Sequence, residues 1–162
     1  MIAAALALAA APIGSTPSAF VAYVYSQYRH EGFSPLEKPE NFFSPSLTEE
    51  IRKDSSGGEV GYLDGDPLCD CQDYDRISAQ VRKLVQPAAQ SAVADVHVVL
   101  GPRETRNLEL KLTLTPKGWR ISDVIGTDHN SLLKELQRAN SHRGIAEGRS
   151  ISAPPLLAQL CP

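Results

Sequence analysis

Much that would announce a chemistry is missing from this chain of 162 residues. No Gly-rich loop ends in Lys, so the phosphate cradle of a P-loop is absent, and Gly57-Gly58 is too short to serve as one. No Gly-x-Ser-x-Gly elbow presents a nucleophile, and no Cys-x-x-Cys pair offers dithiol chemistry. Basic residues do not outnumber acidic ones: 16 Lys and Arg stand against 19 Asp and Glu, for a net charge of −3. That balance excludes the basic face that a nucleic-acid binder uses to neutralise phosphates. The loose clusters Arg76, Arg82, Lys83 and Arg138, His142, Arg143, Arg149 therefore read as solvated faces. Internal repeats are absent, and no apolar run is long enough to cross a bilayer as a helix.

What is present begins with an Ala-rich apolar start, Met1 to Ala11, followed by Pro12, Gly14 and small residues to Ala19. This reads as a secretory h-region with a small-residue exit, although no Lys or Arg precedes it. No Cys follows it to take a lipid anchor. The expectation is an exported product, periplasmic or secreted. Residues 1–19 would then be a leader or a disordered segment, 20–140 a single domain and 141–162 a tail.

The stretch from Gly65 to Asp75, Gly-Asp-Pro-Leu-Cys-Asp-Cys-Gln-Asp-Tyr-Asp, concentrates two of the three cysteines and four acids in one loop. Asp next to Gly and Pro is ordinary turn chemistry, because the carboxylate bonds nearby backbone N–H groups and Pro presets φ. Asp64, Asp66, Asp70, Asp73 and Asp75 also offer hard oxygens to calcium, but their spacing is not that of a calcium loop. Cys69 and Cys71 stand too close together for the usual zinc knuckle. No metal and no cofactor is expected.

Export changes the reading of the thiols, since an oxidising compartment lets them pair. With three cysteines, one bridge forms and one thiol is left over. The expectation is that Cys161, one residue from the C-terminus, ties the tail to Cys69 or Cys71. A Cys69–Cys71 bond, the alternative, closes a very tight ring.

Coarse structure follows from periodicity. Thr16-Pro17 caps a helix carrying Phe20, Tyr23, Val24, Gln27 and Tyr28, which Gly32 ends; Ser44-Pro45-Ser46 opens a second through Leu47 and Ile51. From Ile77 the period turns to alternation. Strands are expected over Ile77–Val81, Ala92–Leu100, Leu108–Thr115 and Trp119–Ile125, with Pro116-Lys117-Gly118 as a hairpin turn. A last helix spans His129 to Asn140. Successive strands with short links predict an antiparallel meander, and so an α+β fold.

The helical start, the Asp-Pro-x-Cys-x-Cys-Gln-Asp segment at 66–73 and the Gly118-Trp119-Arg120-Ile121-Ser122-Asp123-Val124 strand together resemble a bacterial family of uncharacterised exported proteins and lipoproteins. Its fold is similar to the nuclear transport factor 2-like, cystatin-like cone, in which N-terminal helices pack on a curved antiparallel sheet. The resemblance implies that fold and an exported location, not an activity; a curved sheet wrapped by helices would leave a concave pocket, and the reading adopted is a binding or interaction module of the envelope, with a small molecule or an envelope protein as partner. The residues offered for binding are Asp66, Asp70, Gln72, Asp73, Trp119 and Asp123. Two other readings stand beside it. One is a ketosteroid isomerase-like enzyme using Asp66, Asp73, Asp123 or His97 as general base; the other is an immunity-type inhibitor that sets the acidic loop against a basic toxin cleft.

Overall fold

The computed structural model describes residues 16–56, 61–74, 76–102 and 104–148. The apolar start, Asp75, Arg149 and Cys161 lie outside the described residues. Helix α1 spans Pro17–Ser26: the Thr16 hydroxyl accepts from Ala19 N, and Pro17 occupies the first turn, where its missing N–H costs nothing. It buries Phe20, Val21, Val24 and Tyr25. The helix stops earlier than the Gly32 expected from sequence. A 3₁₀ turn, Gln27–Arg29, follows it, and Gly32 turns the chain at φ 72°, a conformation that suits glycine. Helix α2, Pro45–Ser55, repeats the same device with Ser44 as cap, and turns Leu47 and Ile51 inward.

Four strands follow in the order they occur: β1 Ser78–Ala88, β2 Ser91–Val99, β3 Thr105–Thr115 and β4 Gly118–Ile125. All three pairings are antiparallel between sequence neighbours, so the expected meander forms, and the whole is an α+β fold. Alternation on β2 is strict: Ala92, Ala94, Val96 and Val98 are buried, while the intervening residues are half-buried. On β3 the core face is Leu108, Leu110 and Leu112, and on β4 it is Trp119, Ile121 and Val124. Leu114 departs from the expected row. It is 41% exposed, next to the hairpin turn at the end of the strand. Register shifts at Val81/Lys83 on β1 and at Lys111/Leu112 on β3 bend the sheet.

The two edges are treated differently. Along β4, Ile121 N donates to Phe42 O at 2.9 Å and Ser44 N to Ile121 O at 2.8 Å, so the segment entering α2 pairs with this edge. The β1 edge is broken by its register shift and carries Arg82, Lys83 and Pro87, residues that discourage pairing with another chain.

Helix α3 spans Leu132–Gly148. It starts later than expected, because His129 sits at φ 62° and cannot belong to a right-handed helix, and Ser131 acts as the cap. It also runs past Asn140. Asn140 Nδ2 donates to Glu50 O and Oε2, and Arg143 reaches the buried Asp54, so the last helix is tied along α2. Arg143, expected on a solvated face, is thus half-buried in an ion pair with Nη2 2.6 Å from Asp54 Oδ1.

Candidate functional site

The acidic loop forms one wall of an open cavity of about 510 Å³. Residues 62–73 supply that wall, Glu104 precedes β3 and Arg106 lies on it, Gly126, Asp128 and Asn130 come from the β4–α3 turn, and Leu132 opens α3. Cys69 and Cys71 are bonded to each other, with Cα atoms 5.2 Å apart. This corrects the expectation of a tail staple, since neither sulfur is left for Cys161. The reason is local. Asp66 N donates to Cys71 O at 2.8 Å, and Asp70 takes a positive φ of 52°, so the chain doubles back within the loop and brings the two cysteines face to face. Gly65 permits the close return: a Cβ there would lie 2.6 Å from Cys71 O.

Four sides hold this loop in place. From α1, Tyr25 Oη donates to Leu68 O at 2.9 Å, and from the turn after it Tyr28 Oη donates to Asp66 Oδ2 at 2.7 Å. From the β4–α3 turn, Thr127 donates through both its hydroxyl and its N–H to Asp70 Oδ2. Arg106 Nε on β3 donates to Asp70 O at 3.2 Å. Behind it, the buried carboxylate of Asp54 accepts from Tyr62 N and Leu63 N, both at 2.9 Å. Gly61 is the residue that can pass this carboxylate, since a Cβ there would meet Asp54 Oδ2 at 2.2 Å. The loop is therefore preorganised, and little ordering entropy remains to be lost on binding.

The cavity is strongly one-signed. Among the described residues, Asp64, Asp66, Asp70, Asp73, Glu104 and Asp128 line it against the single guanidinium of Arg106, which is already committed to Glu104 at 2.5 Å. Burial pushes the Asp66 carboxyl above its ordinary value, although Tyr28 Oη and Leu68 N both donate to its oxygens and oppose the rise. Asp128 goes the other way: Asn130 donates to it from backbone and side chain and holds its carboxyl below the ordinary range. Burial, with the neighbouring Asp66 charge, pushes Tyr25 and Tyr28 far above the usual phenol range, so both are protonated donors.

Of the residues singled out in the sequence, Asp66, Asp70, Gln72 and Asp73 come together here, with Gln72 Nε2 donating to Asp64 Oδ2 at 3.0 Å. The other two do not join them. Trp119 is 3% exposed and belongs to the core, and Asp123 is buried towards the other end of β4. Asp123 Oδ1 accepts from Leu133 N and Oδ2 from the Ser131 hydroxyl, with Lys111 Nζ 3.5 Å away, which makes it the anchor for the start of α3. His97 lies on the outer face of β2, its Nδ1 2.8 Å from Asn107 Oδ1 on β3, and does not line the cavity. Tyr62, Glu104, Arg106 and Asp128 line the cavity unannounced by any motif, because they come from segments that only folding brings together. Among the described residues no group of three His, Cys, Asp or Glu side chains could hold a metal ion. No helix among them is long and apolar enough to cross a membrane.

No family model matches the chain. Among solved structures, it is similar to a chain of the type VI effector–immunity complex Tae3–Tai3 from Ralstonia pickettii, with TM-score 0.48 and 21% identity over 68% of this chain and 94% of that one. It is also similar to a phospholipid-binding protein from Ralstonia solanacearum solved with a phospholipid, with TM-score 0.38 and 14% identity over 66% of this chain and 56% of that one. In sequence it is similar to the uncharacterised protein YqhG of Escherichia coli (strain K12), 25% identical over 139 residues, a match covering 81% of this chain and 45% of that protein. The chain thus spans less than half the length of the curated relative it matches.

Proposed function

We propose that the chain is an exported interaction module that presents the acidic cavity to a basic segment of a protein partner. The observation that carries this reading is the charge of a preformed cavity: among the described residues six carboxylates line it, and the one cation there is neutralised from within. A Lys- or Arg-rich loop entering there would exchange water for fixed acceptors, and long-range attraction would speed its approach. An immunity-type inhibitor blocking a basic toxin cleft is one form of this function. Kinship with the nuclear transport factor 2-like cone, and export through the apolar N-terminal run, belong to the same proposal. Retention of the Thr16 cap on α1 favours a leader cut that falls before Thr16.

A second reading, general-base catalysis, is favoured by the raised carboxyl of Asp66 at the cavity wall. It is the weaker of the two, because both oxygens of Asp66 already accept a donor that shapes the loop. Titration with oligolysine and oligoglutamate peptides tests the first reading. Oligolysine should bind at low salt, lose affinity as salt rises, and be rejected by the double variant Asp64→Lys/Asp73→Lys. Equal binding of both peptides, or indifference to the double variant, would remove its basis.

A further inference from the structure

At the other end of the β3–β4 pair from the acidic cavity, a second depression of about 640 Å³ runs between α2 and the hairpin turn. One face of the helix forms its first wall: Pro45, Thr48, Glu49, Arg52, Lys53 and Ser56 recur at the three- and four-residue spacing of a single stripe. The hairpin supplies the other wall through Thr115, Pro116, Lys117 and Arg120. Pro45 and Pro116, with the aliphatic stems of Arg52, Lys53 and Lys117, give the groove apolar surface over the buried Phe43, and Thr48 turns its hydroxyl away to the Phe43 carbonyl at 3.3 Å.

The charge here is opposite in sign to that of the first cavity. Four cations and two carboxylates line the groove. Arg52 is paired with Glu40 at 2.8 Å, and Lys53 with Glu49 and Glu50 at 2.8 and 3.1 Å. Lys117 and Arg120 have no carboxylate partner among the described residues. Arg120 is nevertheless held in place, because its Nε donates to Glu40 O at 3.2 Å and its Nη1 to Trp119 O at 2.7 Å. These carbonyls orient the guanidinium without cancelling its charge. Among the described residues, the trough thus carries at its hairpin end a fixed guanidinium and an ammonium that no carboxylate pairs.

We propose that this groove binds a single-chain anionic amphiphile, with the alkyl chain along Pro45, Pro116 and the aliphatic stems that line the trough and a carboxylate or phosphate head between Lys117 and Arg120. An alkyl chain gains from leaving water along such a surface, and a planar guanidinium with spare N–H donors suits an oxyanion. A cationic or neutral amphiphile would match the trough but leave the two cations unanswered.

Isothermal titration of the whole chain with dodecanoate, dodecyl phosphate, dodecyltrimethylammonium and oligoglutamate, all below micelle formation, tests the proposal, with amide chemical shifts to locate the ligand. Saturable binding of dodecanoate or dodecyl phosphate is expected, with shifts on Thr115 to Arg120 and along α2. The tighter of the two identifies the head group as fatty-acid-like or phospholipid-like. Lys117→Glu, whose side chain makes no contact that holds the fold, should weaken binding about tenfold or more. Glu49→Trp, which fills the trough from an exposed position, should abolish it while leaving oligolysine binding at the acidic cavity intact. The proposal is overturned by the absence of saturable binding, by equal binding of the cationic amphiphile, or by unchanged affinity in Lys117→Glu. Shifts confined to the acidic cavity, or oligoglutamate binding where the alkyl anions do not, would overturn it as well.

Discussion

Replacing Asp54 by alanine removes the side chain that joins three parts of the chain. Its carboxylate is 3% exposed and accepts from Tyr62 N and Leu63 N, each at 2.9 Å, and from Arg143 Nη2 at 2.6 Å. Alanine leaves two backbone donors without acceptors and a half-buried guanidinium without its counter-charge. Each orphaned donor costs on the order of 1 kcal/mol, and removing one partner of a buried pair costs about 3–5 kcal/mol in all. We expect Asp54→Ala to lose about 3–5 kcal/mol in urea unfolding, a large part of the stability of a domain this size. Arg143→Ala should cost less, about 2 kcal/mol, because Asp54 keeps its two N–H donors. The double variant should fall short of the sum by about 1–3 kcal/mol, the coupling of the pair. Because Tyr62 and Leu63 line the acidic cavity, their amides should also lose hydrogen-exchange protection in Asp54→Ala, and oligolysine affinity should drop. A loss below about 1 kcal/mol, or strict additivity in the cycle, would refute the assignment of Asp54 as the tie between α2, the cavity wall and α3.

Three further outcomes are expected. Gly65→Ala should cost about 1–3 kcal/mol in thermal unfolding, since the new Cβ would sit 2.6 Å from the carbonyl that Asp66 N uses. Alkylation before and after reduction should gain two labels, from Cys69 and Cys71, and Cys69→Ser/Cys71→Ser should lower stability by only about 1–2 kcal/mol, because so short a closed loop removes little unfolded-state entropy. Burial raises the folded-state carboxyl of Asp66 above its ordinary 3.8, so the stability it contributes is full below that value and is lost as pH rises through the raised one. Measured from about pH 3 to about pH 8, the stability of the wild type relative to Asp66→Asn should therefore decline with rising pH, and a constant difference would contradict the burial of that group.

The sequence by itself determined the elements whose cause is local. Thr16-Pro17 and Ser44-Pro45 start their helices because capping needs only a hydroxyl, a proline and the next turn. The alternation of Leu108, Leu110 and Leu112 marks a strand because its period is written in adjacent residues, and short links between strands leave the meander as the natural pairing. The acidic segment from Gly65 to Asp75 also stood out as a candidate site, since its composition is a property of the segment alone.

Tertiary structure decided what depends on partners far away in the chain. The Cys69–Cys71 pairing hangs on the turn at Asp70, which Thr127 and Arg106 hold from other elements. Arg143 reads as part of a solvated face in sequence, and only the packing of α3 on α2 sets it against the buried Asp54. Asp123 reads as a pocket acid from its strand motif, yet the start of α3 claims both its oxygens. The opposed charges of the acidic cavity and the α2–hairpin groove are likewise invisible in a chain of net charge −3, because a near-balanced composition fixes the sum of the charges and not their placement.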